Sequence, residues 1–345
     1  MPLPPDKNRY CNSPSSTEDF LAQLTTAPVS DTTPTLSIVT PSFNQADFLG
    51  STISSVVEQN YPKLEYVVVD GSSTDRSNEI LQQSSDRLHW WVSEEDSGPE
   101  EAINKGFSRT SGEIMAWIGA SDMYLPWTFS LVASLFERFP KVQWLTTLFP
   151  LQLDESSRIT GLHELPPYYP KGFFRGEYLS VGGQWRPRGW IQAESTFWRR
   201  SLWEKAGGQL DTSQHASDFD LWARFFKHAK LWGVASPLAG WRLEENQRGH
   251  GNEATYHESS LSVLNRYGHS PTEPEDSDLS PRLPEKAHDL LVGAGVFPSG
   301  PILLFDEEKG DWKKQQFPIR GTYHEASPAL FGLGEIGEKK LHGAV

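Results

Sequence analysis

From Leu36 onward, short apolar runs alternate with amphipathic stretches. Leu36-Ser37-Ile38-Val39 is largely β-branched and ends in Thr40-Pro41-Ser42. Phe48, Leu49, Ile53, Val56 and Val57 then fall on one helical stripe, which Asn60 and Pro62 stop. Leu64 to Val69 is a second, almost continuously apolar run. It ends in Asp70-Gly71-Ser72-Ser73-Thr74-Asp75, whose Ser and Asp side chains suit the start of a helix through Ile80 and Leu81. Leu88 to Val92 is a third run, followed by a Gly-Pro turn and a helix with Ala102, Ile103 and Phe107. A fourth, Ile114 to Ile118, ends in Gly119-Ala120-Ser121-Asp122. Strands with so little polar alternation, separated by helices, predict a parallel sheet covered on both faces.

Residues 34–125 thus resemble the α/β half of a nucleotide-binding domain, and beyond them the pattern loosens. Residues 126–139 read as an amphipathic helix and 142–149 as another strand. Gly, Pro and Trp dominate 161–192, which predicts a loop-rich region rather than a second sheet. Helices follow over Arg199 to Ala206 and over Asp218 to His228, the latter with Leu221, Trp222, Phe225 and Phe226 on its apolar stripe. This second half spans 126–266. Residues 1–33, rich in Pro, Ser, Thr and Asp, are expected to be a mobile leader. Residues 267–345 are expected to form a C-terminal extension, partly disordered through the charged, Pro-rich 269–285.

Composition narrows the partners. With 31 Lys and Arg against 45 Asp and Glu, the formal charge is −14, and no basic run is present to track a phosphate backbone, so nucleic acid is excluded as an expected partner. Cys11 is the single cysteine, which rules out an intrachain disulfide and a cysteine metal cluster. Mean hydropathy is −0.51 and the apolar runs fall far short of the roughly 18 residues that cross a bilayer. The N-terminal residues lack the apolar core of a signal peptide. Together these predict a soluble, cytoplasmic protein. The 13 Trp, many beside Arg, Asp or Gly, fit either ordinary core filling or a surface that grips flat rings.

In an open parallel sheet, ligands bind outside the carboxyl ends of the strands. That edge receives Ser42 and Asn44 after the first strand, Asp70 and Asp75 after the second, and Asp122 after the fourth. Each alone is ordinary turn chemistry; the set converging on one edge points to a site. Asp218 and Asp220, two apart at a helix start, face different sides; both suit the helix dipole, and one of them can cap the helix or pair with Arg224.

The segments TPSFNQADFLGSTISSVVEQNYPKLEYVVVDGSSTD, DSGPEEAINKGFSRTSGEIMAWIGASDMYLP, IQAESTFWRRSLWEKAGG and DFDLWARFF occur in an order and spacing that resemble family 2 glycosyltransferases of the GT-A fold, over about residues 34–250. The resemblance implies an α/β fold of GT-A type, a Rossmann-like, mostly parallel sheet flanked by helices with a loop-rich acceptor half. It implies a nucleotide-sugar-binding half over 34–125 and an acceptor and catalytic half over 126–266. The implied reaction moves a sugar from a nucleotide diphosphate sugar to an acceptor hydroxyl, with inversion.

Carried over by position, Thr40, Pro41, Ser42 and Asn44 would line the nucleoside pocket and Asp70 would accept from the base or ribose. Asp96, Asn104 and Lys105 would close over the ribose and diphosphate, with Ser121 and Arg242 completing the donor contacts. Asp122 matches the metal-binding carboxylate and Asp218 the catalytic base. Trp190, Gln192 and Glu194 would meet the acceptor or sugar. Mn²⁺ or Mg²⁺ is the implied cofactor.

Two departures stand out. Gly119-Ala120-Ser121-Asp122 has one carboxylate fewer than the family often shows, and Glu244 stands where relatives usually carry His, so Glu244 is a candidate metal ligand. His250 is a nearby candidate to replace that His. Both departures also suit an alternative, a catalytically weakened GT-A-like module that binds a nucleotide sugar or glycan. No processive-synthase motif or membrane helix is seen, which implies single transfers to a glycan or lipid-linked acceptor in polysaccharide synthesis, in the cytoplasm or peripherally at the inner membrane face. The reading requires Asp70, Asp122 and Asp218 to meet around one cavity.

Overall fold

A computed structural model describes residues 33–181, 184–185, 189–244, 253–269, 299–306, 309, 311–318 and 324–326. The leader over 1–32, His250 and residues 270–285 lie outside them. The first half comprises β1 (Leu36–Ser42), α1 (Ala46–Val57), β2 (Leu64–Asp70), α2 (Ser77–Gln83), β3 (Trp90–Ser93), α3 (Pro99–Phe107) and β4 (Ile114–Trp117). Next come β5 (Met123–Tyr124), α4 (Thr128–Arg138), β6 (Trp144–Thr147), β7 (Leu151–Leu153), β8 (Ile159–Glu164) and α5 (Pro170–Phe174). They are followed by β9 (Ser180–Val181), β10 (Gln184–Trp185), β11 (Phe197–Arg199), α6 (Arg200–Lys205) and α7 (Ser217–Phe226). The last are β12 (Leu231–Val234), β13 (Ala239–Arg242), α8 (Glu253–Arg266), β14 (Ser299–Asp306), β15 (Asp311–Pro318) and β16 (His324–Ala326).

The main sheet has nine strands in the order β15-β14-β12-β6-β11-β4-β1-β2-β3. Five of its pairings are parallel and helices flank it, the α/β architecture expected. The residues of β1 and β2 are mostly buried, as strands covered on both faces must be. Register brings Ser42 opposite Asp70, and Asp70 opposite Ser93, so three polar residues form one row at the carboxyl edge. The helix α3 approaches β1 so closely that a Cβ on Gly106 would lie 2.5 Å from a Val39 methyl, which is why glycine stands there.

Two features were not legible in the pattern. The three-residue β11 inserts antiparallel between β4 and β6, pairing Trp198 with both Met115 and Trp144. A second sheet, β16-β8-β7-β13-β5, draws β8 partly from the stretch expected to be loop. Its strands are two to six residues long, too short to show a period, and long-range pairing forms them. The C-terminal extension, in which no motif was recognised, supplies β14 and β15 to the main sheet and β16 to the second.

Most tryptophans fill the core, and Trp144, Trp198 and Trp222 are fully buried. Trp222, on α7, stacks on Trp117 of β4 at 5.6 Å and 8° and on Trp144 of β6 at 5.6 Å and 25°. This sandwich fixes α7 on the sheet. Truncating a buried Trp leaves a large cavity, so Trp222→Ala is expected to lower stability by about 4 kcal/mol, read from urea unfolding.

Candidate active site

The edge where β4 ends and α7 begins opens into a cavity of about 660 Å³. Asp122, Glu194, Asp218, Glu100 and Glu253 line it with His215, and its walls include Trp190, Trp241, Trp222 and Phe173. Asp122 and Asp218, almost a hundred residues apart in the chain, therefore share one wall system. Asp70, expected to meet them there, does not: it is fully buried at the end of β2, away from the lining, because its carboxylate is taken up by the adjoining turn and strand, so two of the three expected aspartates share the cavity.

Asp122 sits between the two sheets. The Arg242 backbone N–H donates to its Oδ1 at 3.1 Å, and Thr52 Oγ1 donates to its carbonyl at 2.8 Å. Gly119 keeps the space before the carboxylate clear, because a Cβ there would lie 2.8 Å from Asp122 Oδ2. Burial pushes the Asp122 carboxyl up to about 7; the Arg242 N–H and guanidinium oppose this and Glu244 adds to it. Glu244 is buried nearby and accepts from Gln45 Nε2 at 3.3 Å. An acidic site with an open carboxylate face fits a hard divalent cation, for which oxygen ligands are the matching chemistry.

Asp218 occupies the first turn of α7, where the helix dipole favours a carboxylate. Its Oδ1 accepts from the Phe219 N–H at 2.8 Å, and Tyr256 Oη donates to the same carboxylate at 3.1 and 3.2 Å from its two oxygens. Burial raises its pKa, the Phe219 and Tyr256 donors pull it back, and Glu100 adds to the rise. Asp220 turns away and accepts from Arg224 Nε at 2.9 Å, the pairing rather than the cap of the two roles its spacing allowed.

Between these carboxylates lies Glu194, 6% exposed, with Oε1 lacking a hydrogen-bond partner. Burial above all, then the Asp122 and Asp218 charges, holds its pKa well above the usual carboxylate range. Gln192 Nε2 and Trp241 Nε1, on the same walls, also lack partners. A buried cavity with unpaired donors and acceptors between aromatic faces suits a ligand that carries both hydroxyls and flat apolar faces. Trp190 is half-buried and meets Trp241 edge to face at 6.3 Å. The sequence did not single out Trp241, although it lies beside Arg242 in the segment that ends at Glu244, nor Tyr256, which belongs to no recognisable motif.

Several expected donor contacts are engaged elsewhere. Arg242 is fully buried: Nε donates to Ser121 O at 2.7 Å, Nη1 to Asp154 O and Glu155 O at 2.7 and 3.0 Å, and Nη2 to Ser157 Oγ at 3.0 Å. With its fork filled by carbonyls and a hydroxyl, it holds the Ser121-Asp122 turn rather than a phosphate. Asn104 clasps the Leu210 backbone with both amide atoms, at 3.0 and 2.8 Å. Lys105 pairs with Glu94 at 2.7 Å on the surface. Thr40 Oγ1 meets Tyr66 Oη at 3.1 Å inside the core.

Asn44, at φ 52°, accepts from the Thr74 N–H at 2.9 Å and so ties the first strand-end turn to the second. Asp70 accepts from Ser73 N, Ser73 Oγ and Ser93 Oγ at 2.9, 2.5 and 2.7 Å. Asp96 accepts from Gly98 N at 3.0 Å and crowds Gly71, where a Cβ would lie 3.0 Å from its Oδ2. Ser42 is buried with an unpartnered Oγ, Pro41 lines the cavity, and Phe43 beside them is 60% exposed.

The family model for glycosyl transferase family 2 matches residues 37–181. The putative teichuronic acid biosynthesis glycosyltransferase TuaG of Bacillus subtilis is 37% identical over 94 residues, 26% of this chain and 37% of that protein. An uncharacterized glycosyltransferase of Rickettsia typhi is 22% identical over 214 residues, 62% of this chain and 65% of its own length. The chain thus spans less than two thirds of the length of these curated relatives. Among solved structures, the mannosyltransferase PcManGT of Pyrobaculum calidifontis, in complex with GDP-Man and Mn²⁺, has a TM-score of 0.50 at 18% identity, covering 73% of this chain and 71% of that one, a likeness of fold. No helix among the described residues is long and apolar enough to cross a membrane.

Two stability outcomes follow. Arg242→Lys loses the planar fork, leaves carbonyls unpaired, and is expected to cost about 2 kcal/mol or more in urea unfolding. Folded Glu194 keeps its proton to higher pH than the unfolded residue, so the folded state binds more protons and stability declines as pH rises above the ordinary carboxylate range. In chelator-containing buffer, Glu194→Gln is expected to match the native chain near about pH 4 and exceed it near about pH 8.

Proposed function

We propose that this chain, whose residues 37–181 belong to glycosyl transferase family 2, transfers a sugar from a nucleotide diphosphate sugar to an acceptor hydroxyl with inversion. The observation that carries the reading is the shared cavity of Asp122 and Asp218, with aromatic walls and unpaired polar groups between them. Asp218 acts as the general base: it takes the acceptor hydroxyl proton as that oxygen bonds to the anomeric carbon. The bond from that carbon to the diphosphate breaks on the opposite face, and its electron pair leaves with the nucleoside diphosphate. The raised pKa of Asp218 makes it a stronger base once ionised.

Asp122, with Glu244 beside it, would hold a divalent cation such as Mn²⁺ or Mg²⁺. Among the described residues no group of three acidic, His or Cys side chains forms a metal cage, so the remaining ligands would come from the diphosphate and water. When bound, such a cation neutralises charge on the leaving diphosphate. Ser42, Asp70 and Asp96 form the donor edge, with Phe43 offering an exposed ring for a flat base. Trp190, Gln192 and Glu194 bind the acceptor or sugar, Trp190 against a ring face and the other two against hydroxyls. The likeness to TuaG, a putative glycosyltransferase of teichuronic acid biosynthesis, supports an acceptor in polysaccharide synthesis.

Purified protein with Mn²⁺ and a panel of UDP-, GDP- and dTDP-sugars is expected to release nucleoside diphosphate. Asp218→Asn should lower release by about 10²–10⁴-fold with donor binding nearly unchanged by calorimetry. Full activity in Asp218→Asn would overturn the base assignment, and tight binding without turnover for every donor would favour a binding module.

A further inference from the structure

Tyr256 belongs to none of the motifs, yet its hydroxyl bridges both oxygens of the Asp218 carboxylate at 3.1 and 3.2 Å. It comes from α8, across the cavity mouth from α7, and lines the cavity together with Glu253 and Thr255 of the same helix. The helix is anchored independently of this contact. Ser259 Oγ accepts from the Ala216 N–H at 3.1 Å, and Arg266 pairs with Asp220 at 3.2 Å. Val263 and Leu264 are fully buried. With α8 held by these other contacts, the tyrosine hydroxyl can be delivered to a fixed point.

We infer that Tyr256 is a positioning residue that locks the Asp218 carboxylate in one orientation by donating across both its oxygens. The inference deepens the reading of Asp218 as base and rests on it for its effect on rate. A carboxylate at a helix start can rotate about its terminal torsion, which is broad and twofold. The Phe219 N–H holds only one oxygen, whereas the tyrosine hydroxyl reaches both. Burial and the Asp218 charge raise the phenol well above its ordinary pKa, so it stays a donor across the neutral range.

The other titratable groups near Asp218 come from several elements. Glu100 of α3, itself hydrogen-bonded to Ser217 Oγ at 3.1 Å, raises its proton affinity, and Glu194 is coupled to it by charge. Asp122, Glu253 of α8 and His215 before α7 share the cavity wall. Tyr256 thus lowers the affinity that burial and Glu100 raise.

The test compares Tyr256→Phe, Ser259→Ala and Asp218→Asn with the native chain. Carboxyl-¹³C aspartate NMR, with the Asp218 resonance identified by its loss in Asp218→Asn, reads proton affinity without needing turnover. The Asp218 midpoint is expected to move to higher pH in Tyr256→Phe and to stay put in Ser259→Ala. With whichever nucleotide sugar of the panel turns over, Tyr256→Phe should lower kcat about tenfold with KM little changed, and the acidic limb of its pH profile should move to higher pH. An unshifted midpoint, or an equal loss of rate in Ser259→Ala, would overturn the inference. Full activity in Asp218→Asn would instead overturn the assignment of the base while leaving the midpoint result standing.

Discussion

The stacking of Trp222 between Trp117 and Trp144 is the contact on which the rest depends. Trp117 closes the strand that leads into the Gly119-Asp122 turn, and Trp222 lies four residues beyond Asp218 on its helix. One indole sandwich therefore relates the two carboxylates in space. Flat rings in offset contact are intolerant of sliding and rotation, and together they bury a large apolar area. The helix cannot shift along the sheet without losing both stacks.

The polar architecture follows from that placement. Burial in the cavity walls raises the proton affinity of Asp122, Glu194 and Asp218, and neighbouring carboxylates add to the rise: Glu244 for Asp122, Asp122 and Asp218 for Glu194, and Glu100 for Asp218. The chain offsets this locally with neutral donors, the Arg242 N–H at Asp122 and the Tyr256 hydroxyl at Asp218. The Arg242 guanidinium faces the turn it braces.

Much of the first half of the chain uses its polar residues to build itself. Asp70 gathers Ser73 and Ser93, Asn44 joins two turns, and Asn104 pins Leu210 into the cavity wall. Side chains that a motif assigns to ligands can act one step removed, by fixing the backbone that a ligand meets. Turn-forming Asp and Asn satisfy neighbouring N–H groups first because these are covalently held within reach.

The sequence alone determined the parallel α/β half, since strands buried on both faces must be apolar throughout and the turns after them must cap the next helix. It also marked Asp122, at a strand-end turn; Asp218 was marked only through the family resemblance, since a carboxylate at a helix start is by itself ordinary first-turn chemistry. It could not reveal the second sheet or β11, whose two- to six-residue strands exist only through partners far along the chain. Nor could it tell Arg242 the clamp from Arg242 the phosphate contact, or bring Tyr256 to Asp218. Those outcomes depend on what fills the space around a side chain, and a chain of local preferences carries no record of that.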